Sequence, residues 1–130
     1  MSHAPIPPEV DRIAKLVVDA AYTVHRSLGP GLLESVYEAC MAHELRKRDV
    51  GYRAQVSLPI IYDGERIDAG LRLDLLVGEC VIVELKAVER TVPLYDAQLL
   101  TYLKLTGHRL GLLINFNVPV IKDGIRRMAL

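Results

Sequence analysis

The chain has 130 residues, about one domain's worth, of which 51% are hydrophobic and 25% charged. Its 16 basic and 16 acidic side chains cancel to a formal net charge of zero, which argues against a protein drawn to nucleic acid by its overall field. A chain this apolar buries a core, and no apolar run approaches the roughly 20 residues of a membrane helix.

Pro5, Pro7 and Pro8 make residues 1–9 an extended lead-in, and residues 10–130 are expected to form a single domain. The three- and four-residue steps of Val10, Ile13, Leu16, Val17, Ala20, Ala21 and Val24 predict a helix over 9–27, stopped by Gly29-Pro30-Gly31. A second helix is predicted over 32–48, with Leu33, Val36, Tyr37, Cys40, Met41, Glu44 and Leu45 on one broad face. Beyond Gly51 the period changes to two. Strands are predicted over 55–62, 66–77 and 81–87, the first two joined by the Asp63-Gly64 turn. Pro93 opens a helix over 94–106 that Gly107 ends, and 110–115 reads as a short buried strand. Residues 118–121 and 125–130 flank Asp123-Gly124 and are expected to close a terminal hairpin. The order α-α-β-β-β-α-β-β reads as one α/β domain with a mixed sheet flanked by helices.

The start of the chain carries no basic stretch followed by an apolar one, so no secretory signal is expected. Cys40 and Cys80 are too few for a disulfide framework or a zinc site, which makes a reducing cytoplasm the simplest compartment.

The stretch from Leu71 to Lys86 carries the chemistry. Its first strand alternates Leu71, Leu73, Leu75 and Val77 with Arg72, Asp74 and Leu76; its second alternates Val81, Val83 and Leu85 with Ile82, Glu84 and Lys86. Matching apolar face to apolar face pairs Leu75 with Val83 and Val77 with Val81, leaving Gly78-Glu79-Cys80 as the loop. That register sets Asp74 opposite Glu84 and Arg72 opposite Lys86. Two carboxylates across a ladder repel. A divalent cation between them turns the pair favourable, and Mg²⁺ takes oxygen ligands of this kind. A solvated polar face is the plainer reading of such an alternation.

Glu34 is placed in the first turn of the second helix, where it suits the macrodipole, and on a face with Tyr37 and Met41, where it is expected to be partly buried and to need a partner. Gln98 and Tyr102, four apart, share a face of the third helix. His3, His25, His43 and His108 show no metal spacing. Arg46-Lys47-Arg48 and Arg126-Arg127 are small basic clusters, ordinarily solvated faces but also able to touch phosphates.

Gly31-Leu-Leu-Glu34-Ser-Val-Tyr37, Asp74, Glu84-Leu-Lys86 and Gln98-Leu-Leu-Thr-Tyr102 occur in one order along the chain. The first resembles the signature of the small bacterial GxxExxY proteins, and the rest resemble the motifs of the wider PD-(D/E)XK nuclease-like superfamily, over residues 10–127. One position departs: Leu73 stands where that superfamily often has Pro before the first Asp.

The resemblance implies a nuclease-like core with a Mg²⁺ or Mn²⁺ site at the hairpin. Asp74 and Glu84 would ligate the cation with the Leu85 carbonyl, and Glu34 would bind it directly or through water. Lys86 would act on the attacking water, and Gln98 and Tyr102 would shape the site or hold a phosphate. The implied activity is hydrolysis of phosphodiester bonds in DNA or RNA. The alternatives are a non-catalytic nucleic-acid- or protein-interaction module on the same fold and a small-molecule phosphodiesterase. A basic rim would favour nucleic acid, and a closed acidic pocket a small ligand. A homodimer would enlarge the binding surface of so small a domain.

Overall fold

The computed structural model describes residues 4–130. The first three residues of the lead-in, His3 among them, lie outside the described residues.

Helix α1 runs Pro8–Leu28, with Pro in its first turn, where the missing N–H costs nothing. Its stripe of Ile13, Ala14, Val17, Ala20, Ala21 and Val24 is buried. The chain leaves it through Gly29, at φ 68°, whose N–H donates to the His25 carbonyl at 2.8 Å. Helix α2, Glu34–Lys47, lies beside α1.

Five strands form the main sheet in the order β1-β4-β5-β6-β7: β1 Tyr52–Ser57, β4 Arg72–Val77, β5 Val81–Lys86, β6 Leu110–Asn115 and β7 Ile125–Ala129. Only β5 and β6 are parallel, joined through helix α3, Pro93–Thr106; the other neighbours are antiparallel. The sheet separates two apolar layers. Leu75, Val77, Val81, Val83, Leu85, Leu112 and Ile114 pack with α1 and α2. Leu76, Ile82 and Leu113 pack with Leu99, Tyr102 and Leu103 of α3. The central strands β5 and β6 are buried on both faces, as a covered parallel pair requires.

The molecule is thus the expected α/β fold with a mixed sheet between helices, but four details differ. The strand expected over 55–62 is two, β1 and the short β2 Ile60–Tyr62, because Pro59 has no N–H for a ladder. The strand expected over 66–77 is also two, β3 Glu65–Ile67 and β4, and β2 and β3 pair only with each other. Leu73 leaves the face of Leu75 and packs in the α3 layer. Opposite it, β1 is kinked at Gln55, whose φ of 52° lies in the left-handed region, and the ladder skips the pair between Ala54↔Leu75 and Val56↔Leu73. Finally, 118–121 forms no strand. The chain makes a 3-10 turn over Ile121–Gly124, and β7 pairs with β6. A Cβ on Gly124 would lie 2.1 Å from the Asn115 carbonyl oxygen, so the turn closes over β6 only with glycine there.

Candidate functional site

The β4–β5 hairpin has the expected register over Leu75↔Val83, Leu76↔Ile82 and Val77↔Val81. Gly78 and Glu79 turn it, both at positive φ. The paired ladder ends at Leu75↔Val83, so Asp74 and Glu84 stand just past it and are not ladder partners. There the Leu85 N–H donates to Asp74 Oδ2 at 2.8 Å. A side-chain carboxylate takes the place of a backbone acceptor, and the strands part around it.

Glu84 is 7% exposed, and its Oε1 has no hydrogen-bond partner. Burial pushes its carboxyl up to about 9, with hydrogen bonding to Asp74 and the Asp74 charge adding to the rise; the Asp74 backbone N–H and Lys86 pull the other way but lose. Glu84 is therefore a neutral acid at physiological pH, sharing its proton toward Asp74. Tyr102 is buried on α3, and its phenol is pushed up by burial and by the charges of Glu84 and Asp74, against a hydrogen bond from Gln98.

Glu34 differs from its expected partial burial. It is exposed, because it is the first residue of α2 and the face turned inward begins at Tyr37. Its carboxyl nevertheless titrates above the usual range, since nearby protein atoms strip part of its water and Asp74 repels its charge. Glu34 thus senses Asp74. Even so, among the described residues no three acidic, histidine or cysteine side chains gather as a ready-made metal cage. Gln98 is exposed, and Asp74 and Lys86 are half-buried, so the group opens to solvent on one side.

The donors fit a hard divalent cation. Glu84 Oε1 is a buried oxygen with nothing bound to it, and Glu84 keeps its proton because its charge would face that of Asp74. Positive charge placed there would satisfy both.

Three side chains that the sequence reading did not assign to the site support it. Tyr37 is fully buried: its hydroxyl donates to the Gly29 carbonyl at 2.6 Å and accepts from the Leu32 N–H at 3.2 Å, while its ring stacks on Phe116 at 4.5 Å. The Gly-Glu-Tyr motif is therefore a loop clamp that sets where α2 begins, and with it Glu34. Tyr37→Phe keeps the stack and orphans both loop groups, so urea unfolding should show a loss of about 1–2 kcal/mol. Asn115 accepts from the Val88 and Asn117 N–H groups and donates to the Val88 carbonyl, pinning the chain just after Lys86. Tyr95 on α3 holds its ring 4.5 Å from Lys86 Nζ. Its spacing of three from Gln98 is the one signal that could have flagged it.

The basic clusters are largely occupied. Arg48 pairs with Glu44 and Asp19, Arg126 with Asp96 and Arg127 with Asp11. Three clefts of about 470, 350 and 240 Å³ are lined by residues other than Glu34, Asp74 and Glu84. The largest of the three runs along apolar residues of α1, β6 and β7 and is lined by a single acid, Asp19.

The profile of the PD-(D/E)XK nuclease superfamily matches residues 11–128. The chain belongs to that superfamily. No match was found among curated proteins or among solved structures. Membership gives the α/β fold and a nuclease-like function its family context, and no helix among the described residues is long and apolar enough to cross a membrane.

Proposed function

We propose that this superfamily member is a nuclease dependent on Mg²⁺ or Mn²⁺, hydrolysing phosphodiester bonds of DNA or RNA. The observation that carries the reading is the buried Glu84 carboxyl, its Oε1 without a partner, driven to about 9 against Asp74 at the open end of the hairpin. Evolution for stability alone has no use for that pair. The likeness of Gly31, Glu34 and Tyr37 to the GxxExxY proteins agrees with it.

Asp74, Glu84 and the Leu85 carbonyl would hold the cation, with Glu34 binding it directly or through water. The cation would supply positive charge against the phosphate oxygens and acidify a water. Lys86 orients the attacking water and offsets charge as it grows on the phosphate. Gln98, at the exposed edge, and Tyr102, below it, hold a phosphate oxygen and shape the floor. The open side suits a phosphate within a polymer better than a small molecule in a closed pocket.

With net charge zero and many of its arginines already paired with carboxylates, the monomer has weak purchase on a phosphate backbone. A homodimer would widen the contact. The two free cysteines suit a cytoplasmic protein. The test is incubation with single- and double-stranded DNA and RNA in Mg²⁺, in Mn²⁺ and in excess chelator. Cleavage that needs the cation is expected. Inertness toward all four substrates with cation bound favours the interaction module.

A further inference from the structure

Lys86 lies two residues beyond Glu84 on the same strand, close enough for its charge to act on both Glu84 and Glu34. Among the described residues it nevertheless makes no ion pair with any carboxylate. Its ammonium instead sits 4.5 Å from the centre of the Tyr95 ring. That ring is fixed from behind. Tyr95 is half-buried, packs against the Leu73, Leu76, Ile82 and Leu99 layer, and its N–H donates to the Val92 carbonyl at 3.0 Å in the first turn of α3. A lysine has four flexible bonds and a compact charge, so beside three acidic side chains it would ordinarily fall onto one of them. An aromatic face attracts the ammonium without supplying an oxygen that competes for it.

We propose that Tyr95 is a positioning residue: its ring holds the Lys86 ammonium off the acidic cluster, leaving Asp74 and Glu84 free for a cation and the ammonium free for the substrate phosphate. The inference rests on the nuclease reading for its second half, and its first half is testable without any cleavage. Leucine at this position keeps the apolar volume and removes the π face. Phenylalanine keeps the face and removes only the hydroxyl.

Two readouts apply to the native protein, Tyr95→Phe and Tyr95→Leu. In metal-free protein the Lys86 ε-methylene proton resonance should be shifted upfield by the ring in the native and Phe proteins, and should return to its ordinary position in the Leu variant. In Mn²⁺ titrations the freed ammonium of Tyr95→Leu competes for the carboxylates, so affinity should fall roughly 5- to 30-fold, with Tyr95→Phe restoring it. An unshifted Lys86 resonance in the native protein overturns the proposal, as does native Mn²⁺ affinity in Tyr95→Leu. A ring-shifted Lys86 in a native protein that binds no Mn²⁺ defeats the nuclease reading and, with it, the second half of the proposal, while the held ammonium stands.

Discussion

Glu84→Gln should match the native protein in stability near pH 5 and exceed it by several kcal/mol near pH 9 in the presence of chelator. Unfolded, the Glu84 carboxyl loses its proton near 4.5; folded, it keeps it to about 9. Between those values the unfolded chain binds fewer protons than the native one, so stability falls as pH rises, by about 1.4 kcal/mol per unit from a single group. The contribution of the protonated acid is complete below the lower value and gone above the upper. Relaxation and water entry around the ionised group blunt the full slope. An amide is neutral throughout and removes the slope altogether. Urea midpoints at pH 5, 7 and 9 measure it, and parallel curves for the two proteins would contradict the buried-acid account. A bound divalent cation favours the ionised form, so adding Mn²⁺ at pH 9 should restore the native protein toward the variant.

Asp74→Asn should lower cation-dependent cleavage by about 10³-fold or more, the scale of losing charge stabilisation at a reacting phosphate. Asparagine is the informative replacement. Its carbonyl oxygen still accepts from the Leu85 N–H, which in the native protein donates to Asp74 Oδ2, so the hairpin keeps its geometry. Asp74→Ala would orphan that buried N–H and confound lost chemistry with a lost fold. Single-turnover rates at saturating substrate, alongside thermal melts, separate the two. Cleavage near the native rate from a folded Asp74→Asn protein would place the chemistry elsewhere.

What the sequence made legible was what repeats along it. The apolar steps from Ile13 to Val24 marked α1, and Gly107 marked the end of α3. Leu75, Val77, Val81 and Val83 sufficed for the β4–β5 register, because a one-residue slip would have turned every one of them to the wrong face. Where local chemistry overrides the pattern, the fold departs from it. Pro59 breaks a run that alternates well, Leu73 changes face opposite the left-handed Gln55, and β7 pairs with β6 rather than with residues 118–121.

The acidic pair was visible as an anomaly in an alternating strand, but its geometry was not. The hydrogen bond from the Leu85 N–H to Asp74 forms only because the strands part there, and no periodicity encodes a parting. The pattern puts Glu34 on the right helix but not at the right depth, since one position at a helix start decides between core and solvent, and Glu34 is exposed. The Lys86–Tyr95 contact joins a strand to a helix across the α3 layer, and the three-residue step from Tyr95 to Gln98 is the one local trace it leaves.

The central claim is that Asp74 and Glu84 form a cation site, and calorimetric titration of Mn²⁺ into the native and Asp74→Asn proteins, in two buffers of different ionisation enthalpy at pH 7.5, tests it most directly. The account predicts one site in the native protein, release of about one proton as Glu84 gives up the hydrogen it keeps to about 9, and no such binding in Asp74→Asn. Absence of binding to the native protein, or equal binding to both without proton release, would contradict it.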